Sequence, residues 1–310
     1  MNKLISDHII GTISSKPDAP LLIVVGGMHG NETAGVQALH SFLAHIATYP
    51  DCVQMNFVGL VGNLQAINTG QRFIDEDLNR LWNKEMVSRV QGEHPGFESS
   101  ERQALREMLM VFNYLLETYP NSPKFILDLH TTSARGGIFS IINNHETVVD
   151  LAAHLGVPMI SGLHAELHGT LLGYFADQGI PGLGIETGQH KDHEAVRNAI
   201  SIIWTVMHQM GGFVEDMFNR ELDYHYIRLR NVAADLPPKV EVLYRHPIAY
   251  GDEFRMAAEF KNFQPIEAGE LIAYDRNGPV IAREEGLLLM PLYQKIGEDG
   301  FFIVRELDKN

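Results

Sequence analysis

The sequence predicts an α/β fold, a mixed sheet flanked by helices, followed by a small all-β domain at the C-terminal end. Aliphatic runs alternate with amphipathic segments over the first two-thirds of the chain, which is typical of α/β domains. After about residue 220 the chain changes to short alternating strands separated by turn formers. We therefore predict an α/β domain over residues 1–215 and a β-rich domain over 216–310, with the junction inside 212–238.

Five aliphatic runs in the α/β region predict buried strands. These runs are 21–27, 55–62, 124–129, 136–142 and 183–187. In the C-terminal region, alternating strands are predicted within 240–254, 266–293 and 300–307, with turns at Asn277-Gly278 and Asp299-Gly300.

Three amphipathic segments predict helices that cover the sheet. One runs from Glu32 to about Ala47, and a second starts at a cap formed by Ser99 or Ser100. The apolar face of the second helix consists of Leu105, Met108, Leu109, Phe112, Leu115 and Leu116. The third helix covers about 192–210 and ends at two glycines.

Charge and composition narrow the classes of partner. Acidic residues outnumber basic ones by 39 to 24 and no Lys- or Arg-rich run interrupts this excess, so we expect neither nucleic acid nor a membrane surface as a partner. A small anionic substrate would need a local cluster of arginines. Cys52 is the single cysteine, which excludes an intrachain disulfide. Since the first residues lack an export signal and no window resembles a membrane span, we expect a cytoplasmic protein.

His29 and Glu32 follow directly after the first predicted strand. This is where open α/β sheets place their ligands. Gly26, Gly27 and Gly30 allow a sharp turn and leave room beside the imidazole ring. Taken alone, the pattern also fits a loop histidine and a glutamate that is favoured by the helix dipole.

A second histidine, His130, ends another aliphatic strand. Asp128 and His130 project to the same side because side chains alternate along a strand. Two histidines and a glutamate are an established ligand set for a catalytic zinc ion, and Asp128 would fix the tautomer of the imidazole. The sequence therefore predicts one zinc ion per chain at His29, Glu32 and His130. The alternative at His130 is a core histidine that is bonded within its own strand.

Arg72 and the pair Asn79-Arg80 lie in a turn-rich segment after the second predicted strand. A guanidinium group binds a carboxylate with two parallel hydrogen bonds, and asparagine adds a donor. The alternative is an acidic surface loop in which these arginines form ion pairs with Asp75, Glu76 and Asp77.

Glu186 lies in a short apolar strand between two glycines. Burial there would raise the pKa of its carboxyl group towards the range that suits a general base. The alternative is a buried glutamate paired with an arginine.

These four pieces, in this order, resemble the aspartoacylase and succinylglutamate desuccinylase family of the zinc carboxypeptidase superfamily. The matching motifs are GGMHGNE, the arginine and Asn-Arg pattern, DLHTT and GIETG, which together span roughly 20–210. The C-terminal stretch also looks like the small second domain of that family. The resemblance implies a zinc-carboxypeptidase-like fold and hydrolysis of the amide bond of an N-acyl amino acid or a similar small carboxylate.

The resemblance also implies a role for each matching position. The zinc ligands of the family match His29, Glu32 and His130. The general base and acid, which activates a water together with zinc, matches Glu186. The residue that polarises the scissile carbonyl matches Arg72, and the pair that grips a substrate carboxylate matches Asn79 and Arg80.

The chain differs from aspartoacylases at the residue that binds a second carboxylate of the substrate. Aspartoacylases carry an arginine ten residues before the catalytic glutamate, where this chain has Ala176. Arg135 is the predicted replacement, and Tyr293 is predicted to match the substrate-binding tyrosine of the family's second domain. The alternative for Arg135 is a loop residue without this role.

Two other functions use the same residues. One alternative is a metallocarboxypeptidase that acts on peptides. An overhang of the C-terminal domain over the site would argue against it, because only small substrates could then enter. The other alternative is a zinc- or metabolite-binding module that has lost catalysis. Such a module would be expected to lose Glu186 and Arg72, so the presence of both residues argues against it. The sequence does not decide between a monomer and a homo-oligomer.

Overall fold

Helices pack on both faces of a large sheet in this chain. A computed structural model describes residues 3–92, 99–249 and 251–307. Within these ranges the helices are α1 Lys3–His8, α2 Ala34–Ile46, α3 Leu64–Thr69, α4 Lys84–Gln91, α5 Ser100–Thr118, α6 Glu146–Leu155, α7 Leu163–Glu166, α8 Leu171–Ala176, α9 His193–Gln209 and α10 Asn219–Val232. Short 3-10 turns occupy Pro50–Cys52 and Leu78–Arg80.

The strands form one large mixed sheet and one small sheet. They are β1 Ile9–Ile13, β2 Leu21–Gly26, β3 Asn56–Val61, β4 Lys124–Thr132, β5 Phe139–Ile141, β6 Met159–Ser161, β7 Gly182–Gln189, β8 Lys239–Pro247, β9 Arg255–Met256, β10 Gln264–Ile266, β11 Leu271–Asp275, β12 Gly278–Ile281, β13 Gly286–Leu289 and β14 Asp299–Glu306. The large sheet has the order β1-β3-β2-β4-β7-β5-β6-β8-β14-β13-β10, and the small one β12-β11-β9. Because β3, β2, β4 and β7 are parallel, their carboxyl ends meet at one edge.

The central strands are apolar throughout because both faces of the sheet are covered. In β2, Leu22 and Val24 pack into a core with α2, α6, α9 and α10. The alternate residues, Leu21, Ile23 and Val25, pack into a second core with α4, α5 and α8. This arrangement confirms the predicted α/β class with a mixed sheet flanked by helices.

The predicted elements of the α/β region are present, with shifted ends. The run 136–142 forms a strand only from Phe139 onwards, because Gly136 and Gly137 have φ angles of +90° and +108° that a strand does not adopt. The helix predicted from Glu32 begins at Ala34, since Glu32 still belongs to a turn closed by its N–H donating to the His29 carbonyl. Ser99 caps α5 as predicted, by accepting a hydrogen bond from the Arg102 N–H.

The C-terminal region contains the predicted antiparallel strands, preceded by the helix α10, which the sequence analysis missed. Its strands continue the large sheet, because β8 pairs in parallel with β6 and Lys239 lies opposite Met159. The division at residue 215 therefore stays a prediction. Tyr250, within one predicted strand, lies outside the described residues. No helix in the described ranges has the length and apolar character needed to cross a membrane.

The two predicted C-terminal turns have different outcomes. A two-residue turn does join β11 to β12, but it consists of Arg276-Asn277, one residue before the predicted pair, because Gly278 already pairs with Asp275 in the sheet. The turn at Asp299-Gly300 is wrong, because both residues belong to β14. Gly300 instead allows a close approach, since a Cβ atom there would lie 2.6 Å from Cζ of Phe254.

Candidate active site

Three buried side chains converge at the carboxyl ends of β2 and β4. One donor atom each from His29, Glu32 and His130 lies within 4.8 Å of the others. The two oxygens of Glu32 face different histidines, Oε1 at 2.9 Å from Nδ1 of His29 and Oε2 at 3.0 Å from Nδ1 of His130. Two donors that are each about 2.1 Å from a tetrahedral zinc ion are about 3.4 Å apart, so these separations suit one ion.

Glycines bring the first two of these side chains to the strand end. β2 stops at Gly26, and Gly27 then turns the chain with a φ of +70°. Gly30 passes so close to α3 that a Cβ atom would lie 2.0 Å from the backbone carbon of Ala66. The loop that carries His29 and Glu32 is thus packed between the sheet and α3, which fixes where both side chains point.

Each histidine is held by a second carboxylate on its far nitrogen. Nε2 of His29 lies 3.0 Å from Oδ1 of Asp77, and Nε2 of His130 lies 2.9 Å from Oδ2 of Asp128. Such carboxylates orient imidazole ligands and raise their basicity. The sequence predicted Asp128 from the strand alternation but assigned no such role to Asp77.

The electrostatics of the cluster favour a positive charge at the histidines. Burial alone would lower the pKa of His130, but Asp128 and Glu32 outweigh it and raise the pKa well above its usual range. For His29, burial and Arg72 lower the pKa, while Asp77 and Glu32 raise it by more. Nδ1 of His29 is buried without a hydrogen bond of good geometry among the described residues. A divalent cation fits both observations.

Arg72 lies beside the cluster and is held by two of its carboxylates. Its Nη1 atom donates to Oε1 of Glu32 at 3.2 Å, and its Nη2 atom donates to Oδ2 of Asp77 at 3.0 Å. The ion pair with Asp77 was the predicted alternative for this loop, but here it is buried rather than solvated. Nε of Arg72 is also buried and has no acceptor in the described part of the chain.

The loop that carries Arg72 and Asp77 is anchored by Glu101 on α5. The fully buried carboxylate of Glu101 accepts hydrogen bonds from three consecutive backbone N–H groups, those of residues 74 to 76, at 2.7 to 3.2 Å. Its Oε1 atom also accepts from Nδ2 of Asn63 at 3.0 Å. Sequence analysis missed Glu101, because its position on the helix gives no sign that it faces a loop.

Glu186 lies opposite His130 on the neighbouring strand β7. Burial raises the pKa of Glu186 from 4.5 to about 7; the nearby His130 opposes this rise and Glu32 adds to it. Its Oε2 atom is buried and has no hydrogen-bond partner among the described residues. The predicted alternative was a glutamate paired with an arginine. The charge of Arg72 does lower the pKa of Glu186, but the side-chain hydrogen bonds that Arg72 makes within the described residues go to Glu32 and Asp77.

Asn79 and Arg80 line the same cavity, but both already have partners. Oδ1 of Asn79 accepts a hydrogen bond from the Leu171 N–H at 2.9 Å. Arg80 donates from Nε to Glu298 at 3.2 Å and from Nη2 to Asp299 at 3.1 Å. The carboxylates that Arg80 binds here therefore come from the C-terminal region of the chain.

Arg135 and Tyr293 lie apart from the cavity that contains the cluster. They share a separate hollow. The Tyr293 hydroxyl is occupied, since it accepts from the Phe260 N–H at 2.6 Å and donates to the Ala258 carbonyl at 2.8 Å. The geometry gives no support to a substrate contact by either residue.

The C-terminal region forms one wall of the cavity, which has a volume of about 100 Å³. The wall combines apolar side chains with an acidic pair, and the residues that face the cavity are Met290, Leu292, Gln294, Gly297, Glu298, Asp299 and Phe302. From the sequence, an overhang of the C-terminal domain was one possibility, and none of these residues was assigned to it. The whole arrangement defines an α/β protein with a candidate metal centre of the His-Glu-His type at the ends of its central strands.

Comparison with known proteins agrees with this class. A family model described as the succinylglutamate desuccinylase/aspartoacylase catalytic domain matches residues 18–210. The chain belongs to this family, as its motifs suggested. Among solved structures, succinylglutamate desuccinylase from Vibrio parahaemolyticus shares the fold with a TM-score of 0.61 at 20% identity, covering 95% of this chain and 84% of that one.

Two curated relatives show how far the similarity extends. A probable aspartoacylase of Acaryochloris marina is 33% identical over 138 residues, which are 43% of this chain and 42% of that protein. A succinylglutamate desuccinylase of Pseudomonas fluorescens is 27% identical over 311 aligned positions, covering 93% of this chain and 84% of that protein. The match with the higher identity, to the aspartoacylase of Acaryochloris marina, thus spans less than half the length of that protein.

Proposed function

We propose that this chain is a zinc-dependent amidohydrolase that removes the acyl group from an N-acyl amino acid or a similar small carboxylate. The observation that carries the proposal is the convergence of His29, Glu32 and His130 beside Glu186. Family membership supports it, since the named relatives are desuccinylases and aspartoacylases. The chemistry that a bound zinc ion supplies in such a site is Lewis-acid activation of a water and of the amide carbonyl.

Glu186 is the proposed proton carrier. As a carboxylate it accepts a proton from the attacking water, and as an acid it gives that proton to the leaving amine. Burial raises the pKa of Glu186 above its ordinary value, and this shift makes the carboxylate a stronger base for the first step. The unpartnered Oε2 atom supports this role, because it has no competing hydrogen bond to the described residues.

Arg72 is the proposed stabiliser of the charge that develops on the carbonyl oxygen. Its guanidinium group is fixed before substrate binds, because Glu32 and Asp77 hold both terminal nitrogens. Fixed donors stabilise a transition state without a cost of reorganisation during the reaction.

Asn79 and Arg80 are the proposed contacts for the carboxylate of the substrate. Both line the cavity. Each nitrogen of the Arg80 guanidinium group already donates a hydrogen bond, Nη1 to the Asn79 carbonyl at 2.9 Å and the other two to Glu298 and Asp299. A substrate carboxylate would compete with Glu298, whose side chain is 54% exposed and accepts from Arg80 through one oxygen. Asp299 is less exposed and is bound by Arg245 as well, so we expect it to stay in place.

The size of the cavity favours a single acylated amino acid over a peptide. Met290, Leu292 and Phe302 close it on the C-terminal side. A metallocarboxypeptidase needs an open groove for the residues before the scissile bond, and we expect this wall to narrow it.

The test pairs two glutamine variants. Purified wild type, Glu186→Gln and the matched control Glu117→Gln, an exposed residue of α5, are assayed for bound metal and for hydrolysis. The substrates are N-acetyl, N-formyl and N-succinyl amino acids and a tetrapeptide.

Wild type and Glu117→Gln should bind one zinc ion and hydrolyse at least one acylated amino acid. Glu186→Gln should bind the same metal with turnover lowered at least ~10³-fold. Full activity in Glu186→Gln would contradict the mechanism, and cleavage of the tetrapeptide alone would favour a carboxypeptidase. Stoichiometric zinc without any hydrolysis would indicate a binding module.

A further inference from the structure

A second cavity, here called the side chamber, adjoins the candidate active site. It shares four lining residues with the main cavity, namely Asn79, His130, Ile141 and Leu167. Because His130 lines both spaces, a group in the side chamber lies next to the reacting centre. The volume is about 60 Å³, and a water needs roughly 10–15 Å³ on the same scale, so roughly four to six non-hydrogen atoms fit.

The lining of the side chamber is mainly aliphatic. Ile141, Ile142, Leu167 and Leu172 contribute its apolar surface. Leu172 rests on two glycines of β7, since a Cβ atom at Gly182 would lie 2.6 Å from one of its methyl carbons. The position of Leu172 is therefore fixed by the sheet, and it sets the depth of the chamber.

The polar groups around the side chamber are largely bonded to each other or to the backbone. Oδ2 of Asp128 is paired with His130, whereas its Oδ1 atom is buried and has no hydrogen-bond partner among the described residues. Oγ1 of Thr170 accepts from the Gly173 N–H at 3.1 Å, and Oδ1 of Asn143 accepts from the His145 N–H at 2.9 Å.

Among the described residues, no arginine or lysine lines the side chamber. His130 and His164 also line it. However, His130 already faces the carboxylates of Glu32 and Asp128. A carboxylate that entered the chamber would lose water, would lie near Asp128, and would meet no described arginine or lysine to offset that cost. An uncharged aliphatic group would lose no such interaction and would be removed from water.

We propose that the side chamber binds a short, uncharged aliphatic part of the substrate and excludes a second carboxylate. The inference rests on the proposed function and narrows its substrate class to N-acyl compounds with a single carboxylate. The aliphatic part has two possible sources, the acyl tail or the side chain of the amino acid.

Two substrate series with charged counterparts test this inference and separate the two sources. One extends the acyl group on glycine from acetyl to hexanoyl, with N-succinylglycine as the charged counterpart of N-pentanoylglycine. The other extends the side chain of an N-acetyl amino acid from glycine to norleucine, with N-acetylaspartate as the charged counterpart of N-acetylleucine.

In the series that enters the chamber, kcat/KM should rise about fourfold per added methylene until the chamber is full, and then fall. Each dicarboxylate should be at least tenfold poorer than its monocarboxylate partner. A flat profile in both series, or a preference for the charged compounds, would overturn the inference.

A pair of leucine variants locates the effect. Leu172→Ala deepens the chamber and should move the length optimum to longer groups, whereas the control Leu116→Ala, on α5 and remote from both cavities, should leave it unchanged. If Leu172→Ala unfolds at the same temperature as wild type and has the same length optimum, the aliphatic group binds elsewhere and the inference is overturned. Should Leu172→Ala fail to fold, the wild-type series decides the matter.

Binding measured without turnover separates this inference from the proposed function. Calorimetry on Glu186→Gln compares butyrate and pentanoate with succinate, and also N-acetylleucine with N-acetylaspartate. Tighter binding of the monocarboxylate in either comparison supports the chamber even if no substrate is hydrolysed. Equal or weaker binding of the monocarboxylates, or no binding of any compound, would overturn the inference while leaving hydrolysis to be judged by its own assay.

Discussion

The two walls of the cavity are built differently. On the strand-end wall, ionisable side chains are buried and held by further carboxylates, as Asp77 and Asp128 hold the two histidines. On the C-terminal wall, Met290, Leu292 and Phe302 lie beside the half-exposed Glu298. The strand-end wall has the fixed charges that bind a metal ion and catalyse hydrolysis. The C-terminal wall has the shape and the loosely held charge of Glu298, which we expect to select the substrate. Changes on the first wall should therefore lower kcat or metal affinity, and changes on the second should alter KM.

After the loss of turnover expected for Glu186→Gln, the largest effect is expected on the strand-end wall at Asp77. The carboxylate of Asp77 accepts hydrogen bonds from both His29 and Arg72, and Asp77→Asn removes its charge. Zinc affinity should therefore fall about 10–100-fold, as it does when other carboxylates that orient a metal ligand are replaced. Competition with a coloured chelator measures this affinity. Asp51→Asn, an exposed matched change, should leave it unaltered, and equal affinities in both variants would show that Asp77 does not support the site.

The next effect is expected at Glu101, which supports the same wall from behind. In Glu101→Gln an NH2 group replaces one of the oxygens that accept hydrogen bonds from the backbone N–H groups of the loop. The free energy of unfolding should therefore fall by about 1.5–3 kcal/mol. Because the loop carrying Arg72 loosens, kcat should fall more than KM rises. Urea unfolding and steady-state kinetics measure both quantities, with Glu117→Gln as the control, expected within about 0.5 kcal/mol of wild type. Unchanged stability and kcat would contradict the anchoring role.

The pH dependence of kcat/KM tests the burial of Glu186. Burial raises its pKa to about 7, and a bound cation lowers it again towards the ordinary value of 4.5. A general base works only when ionised, so kcat/KM should decline as the pH falls through this pKa. The acid limb of the zinc-loaded enzyme should therefore have its midpoint between these two values. A rate that stays constant down to below the lower value would exclude Glu186 as the base.

The smallest effect is expected on the C-terminal wall at Glu298. Glu298→Gln removes a charge that competes for Arg80, so KM for anionic substrates should fall a few-fold, while kcat stays unchanged. The screened, half-exposed position of Glu298 limits the size of this change. Glu298→Gln and the exposed control Glu117→Gln are compared at low and at high salt, and the difference should shrink at high salt. An increase in KM would show that Glu298 assists substrate binding.

The sequence predicted the strand-end wall far better than the C-terminal wall. The carboxyl ends of parallel strands meet at one edge, so two motifs a hundred residues apart were expected to bring His29 and His130 together. Strand alternation likewise identified Asp128. Both predictions depend on regular geometry that a sequence displays directly.

Contacts that depend on how loops pack left no comparable pattern. Asp77 reaches His29 through an irregular turn, and Asp299 reaches Arg80 across 219 positions of sequence. The same limit explains Arg135 and Tyr293, whose predicted substrate contacts came from the resemblance alone and which lie in a separate hollow. Their placement follows from the packing of 258–263 and 290–294, which no periodicity in the sequence reveals.

One titration tests the central claim most directly. Chelator-stripped protein is titrated with zinc while bound metal and hydrolysis of the best N-acyl amino acid are followed in the same samples. Activity should rise in proportion to zinc and saturate at one ion per chain, and Glu186→Gln should bind the same single ion without hydrolysis. Full hydrolysis by the stripped wild type, or zinc bound in proportion with no hydrolysis of any acylated amino acid, would contradict the central claim.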